Sequence, residues 1–107
     1  MNPWLILVMA STFEVVMALG LKWSYGFTRL GGSLLAIAAS IVSMGLLALA
    51  LRTLPVGTGY AVWTGLGAVF TALVGIVALG ESRDVLRLAG IAAVVVGVVL
   101  LQLTEPH

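Results

Sequence analysis

The chain has 107 residues, of which 62% are hydrophobic and only 8% carry a formal charge, with a net charge of +1. Charged residues make up about a quarter of a soluble domain, so this composition indicates a membrane protein. The sequence contains no cysteine, which excludes disulfides and thiol chemistry, and it has no basic tract that would bind nucleic acid.

Four apolar runs are long enough to cross a bilayer, which takes roughly 20 residues. Short polar segments separate them and hold nearly all of the charge. The runs are continuous and lack the alternation of a membrane β-barrel, so only helices satisfy the backbone in lipid. We predict an all-α membrane protein in which residues 1–107 form one domain, a bundle with short loops. The predicted transmembrane helices span residues 3–21, 33–51, 57–79 and 85–103.

The first predicted helix contains Glu14, the only acidic residue in the first three-quarters of the chain. A carboxylate within the hydrocarbon costs roughly 3 kcal/mol to insert, and such groups are usually functional. We therefore predict that Glu14 binds a proton, a cation or a partner charge. On the same helical face, small Ala10, Ser11 and Ala18 are expected to leave open volume beside the carboxylate, and flexible Met17 to adapt to different guests. Close helix packing is the alternative role for the small residues.

The second and third helices contribute polar and aromatic side chains. Ser43, in the second helix, is expected either to face the cavity or to bond to its own helix. Tyr60 and Trp63 share one face of the third helix, and aromatic rings attract cations by up to about 2 kcal/mol when desolvated. An interfacial aromatic belt is the alternative. Gly65 and Gly67 are expected to let this helix bend, with close packing as the alternative.

The fourth predicted helix carries Gly90 and Gly97 within a stripe of small residues, which suits close contact between helices. Four helices enclose little space once they have packed, so we expect the chain to self-associate, with this helix as the contact. His107 is terminal, and we expect no ligand role for it. The sequence has no nucleotide motif, no metal-ligand cluster and no nucleophile paired with a base. We therefore predict that the protein is not an enzyme and holds neither a metal nor an organic cofactor.

Several short segments match one protein family in their order and spacing. They are MNPW, FEVV around Glu14, LKWSYGFTRL, LPVGTGYAVWTGLGA through Tyr60 and Trp63, and GES before the fourth helix. The chain resembles the small multidrug resistance transporters along its whole length. The resemblance implies a proton-coupled exporter of small organic cations that works as an antiparallel dimer in the bacterial cytoplasmic membrane. It also implies that Glu14 is shared by proton and substrate, that Tyr60 and Trp63 line the pocket, and that the glycines of the fourth helix form the dimer contact.

The resemblance leaves three subtypes open. The branch that exports guanidinium usually has Trp at the position of Met17 and Lys at that of Gln102, although Ala18, Thr64 and Gly65 agree with it. We favour export of quaternary ammonium and other lipophilic or aromatic cations, because Met17 is adaptable and Gln102 carries no fixed charge. Export of guanidinium compounds is the first alternative, and one subunit of a paired heterodimeric exporter is the second.

A competing class is a membrane assembly subunit that transports nothing. In such a protein Glu14 would form a hydrogen bond between helices. That interpretation gives Tyr60 and Trp63 no role, so we prefer the transporter.

Overall fold

A computed structural model of the chain describes residues 2–104 as a bundle of four α-helices, with no strand in that range. Each helix is long and apolar enough to cross a membrane. The predicted fold class is confirmed, and the predicted bounds differ from the observed ones by at most three residues, at residue 33 against Leu30. His107 lies outside the described residues. The helices are α1 (Pro3–Trp23), α2 (Leu30–Ala50), α3 (Val56–Ala78) and α4 (Val85–Thr104).

Local sequence signals fix the two ends of α1. Asn2 precedes the helix, and its side-chain oxygen accepts a hydrogen bond of 2.8 Å from the backbone N–H of Trp4. Pro3 occupies the first turn, where its fixed φ suits the helix and its missing N–H costs nothing. After the helix ends, the buried hydroxyl of Ser24 donates to the carbonyl of Leu21 at 2.7 Å, which helps to hold the turn toward α2.

Helices α1 and α2 approach each other closely because both carry small residues at their contact. A Cβ atom added to Gly20 would lie 2.7 Å from the backbone nitrogen of Ala36. Gly32 also lies against the backbone of Ser24, immediately after α1. In lipid, where apolar surface alone does not drive association, such backbone proximity is a main source of packing energy.

The other helices are arranged around α1 and α3. Helix α1 also packs on α3, whereas α4 packs only on α3 among the described helices. No residue of α4 is buried within residues 85–104. The apolar core lies toward the turn between α2 and α3, and its buried members are Leu7, Leu47, Ala50, Leu54 and Val62.

Candidate functional site

Glu14 lies half-buried on α1 with its carboxylate directly against Gly67 of α3. A Cβ atom added to Gly67 would overlap the Oε1 atom of Glu14 and lie 3.1 Å from its Cγ atom. Gly67 is therefore needed for this approach, because any side chain there would occupy the space of the carboxylate. Within residues 2–104, no hydrogen bond or ion pair engages the Glu14 carboxylate, so it is free to accept a ligand.

A groove of about 370 Å³ opens between α1 and α3 beside this carboxylate, and we call it the Glu14 groove. Its volume lies within the range of small-molecule sites. Met17 and Ala18 line it next to Glu14, as predicted from their helical face. Its opposite end is formed by charged side chains, which are Lys22, Glu81 and Arg87.

Ala10 and Ser11 do not line the Glu14 groove, although they share a helical face with Glu14. Both are fully buried. The Ser11 hydroxyl donates to the carbonyl of Leu7 at 2.8 Å and lies 3.3 Å from the carbonyl oxygen of Trp63 on α3. The open volume expected beside these two residues is thus filled within the chain, because they serve the packing of α1. Their assignment to a substrate pocket stays a prediction.

Ser43 joins three helices through its hydroxyl. It donates a hydrogen bond of 2.7 Å to the carbonyl of Ala10 on α1, and it accepts one of 2.9 Å from the indole nitrogen of Trp63 on α3. The side chain is fully buried, and its hydroxyl bonds to other helices and not to its own. Ser43 does not line the Glu14 groove, and its assignment to a substrate pocket stays a prediction. The consequence for the site is that Trp63 is fixed in place by a buried polar partner.

Tyr60 packs against Trp63, which confirms that the two aromatic residues share one face of α3. Their ring centroids are 5.3 Å apart and the rings meet edge to face at 68°. Tyr60 is 54% exposed. Trp63 precedes Gly67 by four residues, or roughly 6 Å along the helix, and neither ring lines the Glu14 groove. The predicted substrate-binding role of both rings stays a prediction.

Gly65 and Gly67 occupy positions of close approach in α3, which is unbroken from Val56 to Ala78. A Cβ atom on Gly65 would lie 2.9 Å from the Cγ2 atom of Val98 on α4. The packing alternative therefore describes both glycines in this structure, and a bending role stays a prediction.

Gly90 and Gly97 face open space on α4, since an added Cβ would meet no atom within 4 Å at either position. Among residues 2–104, therefore, neither glycine is a point of close approach between helices. Their predicted place in a dimer contact therefore concerns a second copy, which stays a prediction.

The chain matches the family model described as Small Multidrug Resistance protein over residues 2–95. It belongs to the small multidrug resistance family. This membership confirms the resemblance inferred from the short segments around Glu14, Tyr60 and Trp63.

Close relatives carry a more specific name. The chain is 55% identical over 101 residues to a guanidinium exporter of Escherichia coli (strain K12), covering 94% of this chain and 96% of the relative. It is 51% identical over 102 residues to a guanidinium exporter of Proteus vulgaris, covering 95% and 98%. A guanidinium exporter of Citrobacter freundii is 52% identical over 101 residues, covering 94% and 96%.

Family membership and these names indicate a transporter and not an enzyme, and the four spans indicate a multi-pass membrane protein. The favoured export of quaternary ammonium compounds finds no support in the relatives, whose name agrees with the guanidinium alternative. One of the two positions used for that choice does not touch the Glu14 groove, since Gln102 lines a separate cavity with Trp4 and Val98.

The sequence interpretation missed an ion pair at the far end of the groove. An Arg87 Nη2 atom lies 2.6 Å from Glu81 Oε1. The sequence offers one hint of this contact, which is the six-residue spacing between Glu81 and Arg87. Arg87 is the third residue of α4, and its side chain lies back over the turn that contains Glu81. Among residues 2–104 no group of three side chains is suited to hold a metal ion.

Proposed function

We propose that this small multidrug resistance protein exports guanidinium and small guanidinyl compounds in exchange for protons, with Glu14 as the shared site. The observation that carries the proposal is the half-buried carboxylate seated against Gly67, with no partner among residues 2–104. The substrate class is supported by relatives at 51–55% identity that are named guanidinium exporter.

Exchange follows from the electrostatics of one carboxylate in an apolar surrounding. A charge removed from water must be paired or neutralised, because its desolvation is costly. A proton neutralises Glu14, and so does a bound monovalent cation. Both together would leave an unpaired positive charge in the site, so the two ligands compete. A carrier that reorients only with one of them bound then couples proton movement inward to cation movement outward.

The surroundings suit a small planar cation. Guanidinium presents N–H donors in one plane that match the two oxygens of a carboxylate. The Ser43 hydroxyl fixes Trp63 through a 2.9 Å hydrogen bond, and Trp63 in turn supports Tyr60 edge to face. Aromatic rings held in this way, about one helical turn from Gly67, attract a cation that approaches the site.

The working unit that we propose is an antiparallel dimer of this chain in the bacterial cytoplasmic membrane, in contact through α4. The support is the full exposure of the α4 small-residue face, where Gly90 and Gly97 would admit a second helix closely. A heterodimer with a paired homologue remains the alternative, and crosslinking of purified protein made from this chain alone separates the two.

The test is transport by purified protein in liposomes. Guanidinium added outside should drive protons out of the liposomes, measured as a rise of internal pH with an enclosed dye, and Glu14→Gln should abolish this proton flux while the protein still inserts. Glu14→Asp is the matched control, because it keeps the carboxylate and should retain a weaker proton flux. Uphill transport by Glu14→Gln would refute the shared site. A proton flux with quaternary ammonium compounds and none with guanidinium would refute the substrate assignment.

A further inference from the structure

The Glu14 groove contains a second carboxylate, at its opposite end. Helix α3 ends at Ala78, and Gly80 follows with a φ of 69°, the left-handed backbone that glycine adopts without strain. The backbone N–H of Glu81 then donates to the carbonyl of Gly75 at 3.0 Å, a helix-ending bond that turns Glu81 back onto α3. A Cβ atom added to Gly75 would lie 2.7 Å from the Cδ atom of Glu81.

Helix α3 thus receives two carboxylates on two glycines. Gly67 accommodates Glu14 and Gly75 accommodates Glu81. The two glycines are eight residues apart, or roughly 12 Å along the helix. Both carboxylates line the same groove of about 370 Å³, so a small cation can pass from one to the other without leaving it.

A guanidinium group already forms an ion pair with Glu81 in this structure. It belongs to Arg87, with Nη2 2.6 Å from Glu81 Oε1. The pair is open to solvent, since the two side chains are 35% and 38% exposed. The Nε atom of Arg87 is buried and has no hydrogen-bond partner within residues 2–104, so the guanidinium group uses only some of its N–H donors. A solvated pair of this kind is weak and can be displaced.

Glu81 also determines whether a cation can approach this end of the groove. Lys22 and Arg87 are the other charged groups that line it, and both are positive. Among residues 2–104, Glu81 is the only negative group that lines this end of the groove. Glu14 packs on Gly67, which is roughly 12 Å along α3 from Gly75. A guanidinium ion that replaces Arg87 on Glu81 would keep the carboxylate paired throughout.

We propose that Glu81 is a second guanidinium-binding carboxylate at the mouth of the groove, and that the Arg87 guanidinium is a displaceable internal stand-in for the substrate. The proposal rests on the guanidinium export proposed above. The opposing explanation is that Glu81 and Arg87 merely tie the end of α3 to the start of α4.

The two explanations predict different signs for two single variants. If Glu81 binds substrate, Glu81→Gln should raise the KM for guanidinium by roughly twofold to fivefold, because an ion pair with a solvent-exposed carboxylate is lost. Arg87→Gln should lower the KM, because the competing internal ligand is gone. The double variant should behave like Glu81→Gln. If the pair is only a tie, both single variants lose the same contact and should change transport in the same direction, which would overturn the proposal.

Matched controls are available in the same turn. Asp84→Asn removes a negative charge but keeps the side-chain oxygen that accepts from the Leu86 N–H, and Arg83→Gln removes a positive charge. Neither residue lines the groove, so both should retain the KM of the parent protein. If the parent protein gives no guanidinium-driven proton flux, the proposed function fails. If it gives such a flux but the Glu81 and Arg87 variants shift together, only the present inference fails.

Displacement of Arg87 can also be measured directly on the unmodified protein, so that this test does not depend on the folding of any transport variant. Arginine labelled with 15N reports each guanidinium group by nuclear magnetic resonance in bicelles, and Arg87→Lys identifies the signal of Arg87. Guanidinium chloride should shift that signal toward its solvated position, whereas the same concentration of sodium chloride should not. An unchanged Arg87 signal at guanidinium concentrations that saturate transport would overturn the displacement.

Discussion

Gly67→Ala is the sharpest perturbation of the site, because the added methyl group takes the space of the Glu14 carboxylate. The overlap involves the end of a flexible side chain and not backbone, so Glu14 can rotate away. We therefore expect little loss of fold stability, and alanine is favoured over glycine within a helix by up to about 1 kcal/mol. The cost should appear in binding, since the carboxylate leaves its position in the groove.

The size of the binding loss follows from the interaction that is removed. A hydrogen bond to a charged group contributes about 1.5–3 kcal/mol, which corresponds to roughly a tenfold to hundredfold weaker binding of guanidinium. The assays are guanidinium binding, guanidinium-driven proton flux in liposomes, and the thermal midpoint in detergent. Gly57→Ala is the control, since it lies in the same helix and its added Cβ would meet no atom within 4 Å. It should leave binding unchanged.

A second substitution separates displacement of the carboxylate from stiffening of α3. Glu14→Asp shortens the side chain and withdraws the carboxylate from the added methyl group. The defects of Gly67→Ala and Glu14→Asp should then be less than additive, as expected for residues in contact. Unchanged binding in Gly67→Ala would refute the structural reasoning. Fully additive defects would instead indicate that Gly67 acts through helix flexibility.

Three further predictions concern packing and assembly. Trp63→Phe removes the indole donor to Ser43 and should cost about 1 kcal/mol of stability, measured as a lower thermal midpoint; an unchanged midpoint would show that the bond contributes nothing. Gly20→Ala should be more damaging, by about 1–3 kcal/mol, because its methyl group meets the backbone of Ala36 at 2.7 Å; stability equal to the parent would contradict that contact. Gly97→Val should leave each chain folded but abolish crosslinked dimers, and persistent active dimers would place the contact elsewhere.

The fold was predictable because bilayer length and continuous apolarity constrain a chain strongly. The face shared by Glu14, Met17 and Ala18 was also predictable, since helical periodicity alone places those residues together. Ser43 was not, because its hydroxyl bonds across to the carbonyl of Ala10 on another helix, and no local pattern encodes a contact 33 residues away. The ion pair of Arg87 escaped prediction for a different reason: its partner Glu81 is only six residues away, but the contact depends on how the turn after α3 folds back.

Small residues illustrate a further limit of sequence interpretation. Glycine in a membrane helix signals close approach, but the pattern does not say what approaches. In this chain Gly20 meets the backbone of a helix, Gly65 meets valine side chains, and Gly67 and Gly75 each meet a carboxylate. A Cβ atom added to Gly97 would meet no atom within 4 Å among residues 2–104. The same residue type therefore has three different kinds of partner or none, and only the three-dimensional arrangement distinguishes them.

The case for a second copy rests more on Glu14 than on the exposed surface of α4. In water, a wholly exposed apolar helix would demand a partner, but lipid covers such a face as well as protein does. The half-buried carboxylate is different, because lipid offers it neither a charge nor a hydrogen bond. A second chain that covers the Glu14 groove would shield the carboxylate from hydrocarbon. Monomers of Gly97→Val should therefore bind guanidinium poorly even though Glu14 itself is unchanged.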